Sequence, residues 1–247
     1  MTPLSPLKGC FVIGTDTEVG KTRISAALLH ALTQAGWCSA GLKPVAAGTS
    51  LIDGQWVNDD VRALREASSL PMTDAEVGPF QFEAACAPHI AAALEGRSID
   101  RAGILHAAHA LAARADRLVV EGVGGFCVPL SDDWDSADLA LDLQLPVVLV
   151  VGLRLGCINH ALLTAEAVRA RGLMLAGWVG NGVSPAMPWL GENIATLRQR
   201  LHGVPCLGTV PWLENPDPAA VAAHFDPAAL HAFFATLSPS LVSSRKT

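Results

Sequence analysis

Six short runs, each close to continuously apolar, decide what this chain can fold into. They are CFVIG (10–14), AGLKPV (40–45), RLVVEG (117–122), PVVLVVG (146–152), LAGWVG (175–180) and CLGTVP (206–211). Strands that do not alternate apolar with polar residues are buried on both faces. The intervening stretches carry helical spacing; the first, about 20–35, sets Ile24, Leu28, Ala31 and Leu32 on one face. Further helices are expected near 58–68, 84–95, 99–114, 157–171, 190–202 and 227–237. This alternation specifies an α/β fold, a mostly parallel sheet with helices on both faces. At 247 residues one domain over 1–247 is expected, with 238–247 frayed.

A parallel sheet also fixes where a site can sit. The segments Gly14–Thr22, Lys43–Thr49, Glu121–Gly125, Gly152–His160, Asn181–Ser184 and Pro211–Asn215 each follow a predicted strand. Ligands bind at that edge of an open parallel sheet, so six polar or glycine-rich loops converge there.

The first of these loops, GTDTEVGKT (14–22), departs from the usual phosphate-binding pattern G-x-x-x-x-G-K-[ST]: Thr15 stands where the first glycine belongs. The lengthened loop keeps what phosphate binding needs. Free N–H groups at a helix start, the Lys21 ammonium and the Thr22 hydroxyl for Mg²⁺ are all present. Asp16 and Glu18 lie alongside, and the alternative is a plain strand-to-helix turn. In VVEGVGG (119–125), Glu121 ends an apolar strand, as a second Mg²⁺-holding element requires, and the glycines beyond it let backbone approach a ligand. Asp59 and Asp60 either supply another hard oxygen ligand or cap the helix that follows. Lys43 is either a surface charge or a cation facing the phosphates. Asn181 is either a turn residue or a reader of the adenine edge. No N-K-x-D guanine-reading sequence occurs, which favours ATP over GTP.

Other classes are disfavoured. A net charge of −6 argues against a broad nucleic-acid-binding face, and the tryptophans at 56, 134, 178, 189 and 212 form no base-stacking pattern, although Trp212 lies beside the expected base pocket. His106 and His109 lack a third ligand and a glutamate, so they read as helix-face residues rather than a zinc site. The six cysteines (10, 38, 86, 127, 157, 206) have no metal-ligand spacing and read as free buried thiols of a reducing cytoplasm. Lys8-GCFVI is too short for a signal peptide, and LPVVLVVGL (145–153) falls far short of the ~20 residues that span a bilayer. A cytoplasmic protein without membrane contact is expected.

Taken together, GTDTEVGKT, GLKPVAAGT, VNDD, EGVGG…PL, VVGLRLGCINHALLT, LAGWVGN and PWLEN resemble, in order and spacing over about residues 10–216, the dethiobiotin synthetase family. The long loop is that family's form of the motif. The resemblance implies a P-loop NTPase-like fold and an ATP- and Mg²⁺-dependent ligase that joins CO₂ to 7,8-diaminononanoate. It implies that Lys21 bridges the ATP phosphates and a carbamate, and that Lys43 stabilises the carbamate and the transferring phosphoryl group. Thr22, Asp60 and Glu121 would hold Mg²⁺. The loop residues Gly14, Thr15, Asp16, Thr17, Glu18, Val19 and Gly20 would enclose the nucleotide. Asn181 would read adenine, with Pro211, Trp212, Leu213 and Glu214 bordering base and ribose. Thr17, Lys43, Ala47 and Gly124 would meet the diamine. Gly156, Cys157, Ile158 and Asn159 would reach its carboxylate from the neighbouring subunit of a homodimer. Departures are Ala47, where the family commonly has serine, Val123 in place of alanine, and a PWLENP segment one residue shorter than in some relatives, which leaves the role of Glu214 open. Two other readings share the loop: a partitioning-type switch ATPase, whose early loop lysine is missing here, and a cobyrinate-type amide synthetase, whose glutaminase domain has too little chain after residue 216.

Overall fold

The computed structural model describes residues 6–52 and 55–237; the segment 238–247, expected to fray, lies outside them. In chain order the elements are β1 (Gly9–Gly14), α1 (Lys21–Gln34), β2 (Ser39–Leu42), β3 (Val45–Ala47), β4 (Ser50–Ile52), β5 (Gln55–Val57), α2 (Asp59–Ala67), α3 (Asp74–Val77), β6 (Phe80–Phe82) and α4 (Pro88–Leu94). There follow α5 (Arg101–Ala112), β7 (Arg117–Glu121), α6 (Ser136–Leu143), β8 (Val147–Leu153), α7 (Cys157–Ala170), β9 (Leu175–Gly182), α8 (Leu190–Arg200), β10 (Cys206–Val210), α9 (Pro218–Ala222) and α10 (Pro227–Thr236).

Six strands form one sheet in the order β10-β9-β8-β1-β7-β2, and every neighbouring pair is parallel. The two-residue period of a strand sorts its side chains to opposite faces. Phe11 and Ile13 of β1, with Val147, Leu149 and Val151 of β8, join the core packed by α4 to α8. Cys10 and Val12, with Val148 and Val150, join the core packed by α1, α2, α9 and α10. Continuous apolar strands are therefore what a sheet covered on both sides demands. β1 runs between β7 and β8, and the chain's crossovers change direction around it, so the loop after β1 opens into the crevice at the strand C-termini.

Two local differences from the sequence reading have physical reasons. The strand expected over 40–45 stops at Leu42, because Pro44 has no N–H for the ladder. The Lys43 N–H instead donates to Val77 O at 2.7 Å, and Val45–Ala47 pairs with Phe80–Phe82 in a separate two-stranded sheet. The helix expected from 84 begins only at Pro88, whose fixed φ suits the first turn. Also unrecognised were the short elements β4, β5, α3, β6 and α9, and α6, which the Asp135/Asp138 capping box announces. Of the six cysteines expected to be buried, Cys10 and Cys157 are, Cys38 and Cys206 are partly exposed, and Cys86 and Cys127 are exposed; all six thiols are free. Among the described residues, no helix is long and apolar enough to cross a membrane.

Candidate active site

The β1–α1 loop turns sharply at its end. Gly20 adopts φ 88° as the N-cap of α1 and offers no side chain to the free N–H groups of the first turn. Those donors stay available to an anion, with the positive end of the helix behind them. A methyl group on Gly20 would lie 2.3 Å from Asn181 Nδ2. Gly20→Ala is thus expected to combine this clash with left-handed backbone strain, about 1–3 kcal/mol in such positions. Isothermal titration should show ATP affinity reduced by about tenfold or more, since 1.4 kcal/mol is a factor of ten.

The loop is held from within and from its neighbours. Lys21 curls back so that Nζ donates to Asp16 O at 2.9 Å. The Asp16 carboxylate accepts from the Thr17 N–H at 2.8 Å and pairs with Arg154, from the turn after β8. Thr15 N–H donates to Val150 O at 3.0 Å, fixing the extra residue of the loop against β8. Asn181 is 2 % exposed; its Nδ2 donates to Val19 O at 2.9 Å, while Oδ1 is buried with no protein partner. An acceptor left open in this way suits the exocyclic amine of adenine.

Three elements bring the charged groups together. Thr22 Oγ1, on the first turn of α1, lies 2.6 Å from Asp60 Oδ1 and 2.7 Å from Glu121 Oε1. Lys43 Nζ lies 2.6 Å from Glu121 Oε1, 2.9 Å from Asp60 Oδ2 and 3.3 Å from Gly122 O. Lys43 is 3 % exposed and Glu121 fully buried, whereas the Asp60 side chain is 41 % exposed. The choice left open for Asp60 is answered by its neighbour: Asn58 caps α2 by accepting from the Val61 N–H, which frees the Asp60 carboxylate to face the cluster.

Burial and the adjacent Lys43 charge pull the Lys21 ammonium down to about 8. Burial pushes Lys43 down as well, but Glu121 and Asp60 outweigh it and hold that ammonium above its usual range. For Asp60, burial pushes the carboxyl up, and Lys43, the Thr22 hydroxyl and Lys21 together bring it below normal. The carboxylates thus hold Lys43 as a cation, and Lys21, though lowered, is still mostly protonated at neutral pH.

The oxygen set fits Mg²⁺. One Thr22 hydroxyl proton cannot serve both carboxylates it faces, and Glu121 Oε2 is buried without a partner, so hard oxygen donors remain for a cation. Among the described residues, no group of three or more His, Cys, Asp or Glu is placed to hold a metal.

Most of these groups border one cleft of about 1010 Å³ at the C-terminal edge of the sheet. Asp16, Thr17, Glu18, Gly20, Lys21, Thr22, Lys43, Ala47, Asp60, Gly124, Asn181 and Trp212 line it. Gly14, Thr15 and Val19 form the loop's frame behind this lining, and Glu121 lies beneath it. Pro211, Leu213 and Glu214 do not reach the wall, although Pro211 and Trp212 pass so close to Gly182 that a Cβ there would lie 2.5 Å from Trp212 N. Gly156–Asn159 are also away from this cleft. Cys157 is enclosed in the core and its N–H donates to Arg154 O at 3.0 Å, so its thiol is out of reach of a ligand and its N–H is already paired; Ile158 and Asn159 carry what that turn can offer. Sequence reasoning missed Arg23, Val128, Val183 and the 85–88 wall. The only signal for that wall was Pro88, which ends the loop by starting a helix.

Comparison with known proteins agrees with this architecture. A family model described as an AAA domain matches residues 8–220. An ATP-dependent dethiobiotin synthetase from Aromatoleum aromaticum is 54% identical over 213 residues, covering 86% of this chain and 94% of that protein. Its counterpart from Ralstonia nicotianae is 53% identical over 221 residues, covering 90% and 96%. The cell division ATPase MinD of Pyrococcus furiosus superposes with a TM-score of 0.54 at 17% identity over 94% of this chain and all of that one, a likeness of fold alone. With such identity along nearly the whole length of its relatives, and with the long loop, the paired lysines and the hydroxyl–carboxylate set in one cleft, the chain belongs to the ATP-dependent dethiobiotin synthetase family.

Proposed function

We propose that this protein carboxylates and cyclises 7,8-diaminononanoate to dethiobiotin at the expense of ATP, as a cytoplasmic homodimer. The observation that carries the reading is the convergence of Lys21, Lys43, Thr22 and Asp60 on a single cleft wide enough for two ligands, with the Glu121 carboxylate directly beneath them.

One amine of the diamine adds to CO₂, forming a C–N bond and releasing a proton, to give a carbamate. A carbamate oxygen is a poor leaving group until it attacks the γ-phosphorus of ATP and expels ADP. The second amine then attacks the carbonyl carbon and phosphate departs, closing a five-membered cyclic urea. That closure is intramolecular, so the substrate itself meets much of the entropic barrier. The protein's task is positioning and charge neutralisation. The first-turn N–H groups of α1 and Lys21 hold the phosphates, and Lys43 stands where negative charge develops on the carbamate and the transferring group. Asn181 offers its open Oδ1 to adenine beside Trp212. Mg²⁺ held by Thr22, Asp60 and Glu121, directly or through water, supplies neutralisation of the phosphate oxygens when bound. Ala47 and the 85–88 wall border the space left for the diamine. Ile158 and Asn159 of a second copy would take its carboxylate at the α7 N-terminus, and Leu155, 95% exposed at that turn, suits a buried contact between copies.

Purified protein given Mg²⁺, ATP, bicarbonate and the diamine is expected to release ADP and phosphate in step with a cyclic urea seen by mass spectrometry. Phosphate release that ignores the diamine would instead support a switch ATPase.

A further inference from the structure

Lys43 does not only face the substrate side of the cleft; it shares an atom with the candidate metal site. Glu121 Oε1 lies 2.6 Å from Lys43 Nζ and 2.7 Å from Thr22 Oγ1, and the other oxygen of the Asp60 pair is 2.9 Å from the same ammonium. A divalent ion bonded to Glu121 Oε1 at ~2.1 Å would stand no more than about 5 Å from the Lys43 nitrogen, the sum of the two contacts. Screening between them is weak, since Glu121 is fully buried and Lys43 is 3 % exposed. The local charges also balance without a metal: two carboxylates, Asp60 and Glu121, against two ammoniums, Lys21 and Lys43. A free divalent ion would leave both of its charges uncompensated. A triphosphate reverses this, because it brings several negative charges to the same wall and leaves the metal attracted overall.

We infer that Lys43 bars free divalent cations from the Thr22–Asp60–Glu121 oxygens and admits a metal only when it arrives on a polyanionic phosphate. The inference rests on the proposal that these three residues are metal ligands. It makes the metal–nucleotide complex, not the separate ions, the species that enters, and it keeps Glu121 and Asp60 from being occupied unproductively at cellular metal concentrations.

The test is Mn²⁺ binding followed by electron paramagnetic resonance, without diamine or bicarbonate. Wild-type protein alone is expected to leave the free-ion signal unchanged and to bind Mn²⁺ once ATP is added. Lys43→Gln, which keeps a hydrogen-bond donor but removes the charge, is expected to bind Mn²⁺ without nucleotide at least about tenfold more tightly than wild type. Lys43→Arg should restore exclusion, and adding Glu121→Gln to Lys43→Gln should abolish the gain. Unchanged affinity in Lys43→Gln, or a gain that survives Glu121→Gln, overturns the inference while leaving the metal ligands in place. Wild type that fails to bind Mn²⁺ even with ATP overturns the ligand assignment itself, and the inference with it. Should Lys43→Gln fail to fold by circular dichroism, the wild-type arm still decides: tight Mn²⁺ binding without nucleotide contradicts the barrier.

Discussion

Lys43→Ala is expected to lower turnover by about 10²–10³-fold while the dissociation constant for ATP changes only a few-fold, the pattern of a group whose partner charge appears in the transition state. The size follows from electrostatics. At ~4 Å and an effective dielectric of about 20, a cation is worth about 4 kcal/mol against a unit negative charge. In the resting arrangement that attraction is already spent on Glu121 and Asp60, both within 2.9 Å of Nζ. In the variant Glu121 and Asp60 also lose their cation, a cost shared by ground and transition states, whereas the charge that develops during phosphoryl transfer loses its donor only in the chemical step, so the kinetic loss falls there. Pre-steady-state and equilibrium measurements of ATP binding beside steady-state turnover separate the two. Equal losses in both would make Lys43 a ground-state phosphate ligand and remove it from the chemistry.

Glu121→Ala produces the second large effect, on stability. It leaves the Lys43 ammonium in the interior with Asp60 and a 3.3 Å carbonyl contact as its remaining support. Breaking a buried ion pair from one side costs about 3–5 kcal/mol, and the lower end applies here because Asp60 persists. For a domain of this size that lowers Tm by roughly 6–12 °C. Lys43→Met combined with Glu121→Leu removes both charges and restores most of that loss, since a buried pair contributes little over apolar residues of similar volume. The double variant remains inactive. Recovery of stability without recovery of activity identifies the pair as a functional device, whereas a double variant as unstable as the single one would show that Glu121 supports the fold by shape rather than charge.

Much of this was legible before the structure, and for a physical reason. Continuous apolar strands such as PVVLVVG have no solvent face, so their number and parallel packing follow from the apolar runs and their alternation with helical stretches, and all six strands of the central sheet were found. The phosphate loop is equally local: its N–H donors, Lys21 and Thr22 are fixed by a strand on one side and a helix on the other. Asp60 was harder. That Asn58 and not Asp60 caps α2, by accepting from the Val61 N–H, is a rotamer choice no pattern displays. The Lys43–Glu121 contact spans 78 residues and depends on Pro44 ending β2, which turns Lys43 out of the ladder and over Glu121. The 85–88 wall was read as helix because its alanines have high helix propensity, which Pro88 overrode. Ser136–Leu143 carried a legible capping box but followed a loop too polar to suggest a helix.

The most direct test is a crystal structure with Mg²⁺, a non-hydrolysable ATP analogue and the diamine. The account predicts both ammonium nitrogens, of Lys21 and Lys43, within about 3.2 Å of terminal phosphate oxygens, with the diamine's amines beside that phosphate in the same cleft. Either nitrogen turned away from the phosphate, or the two ligands seated too far apart to react, would contradict it.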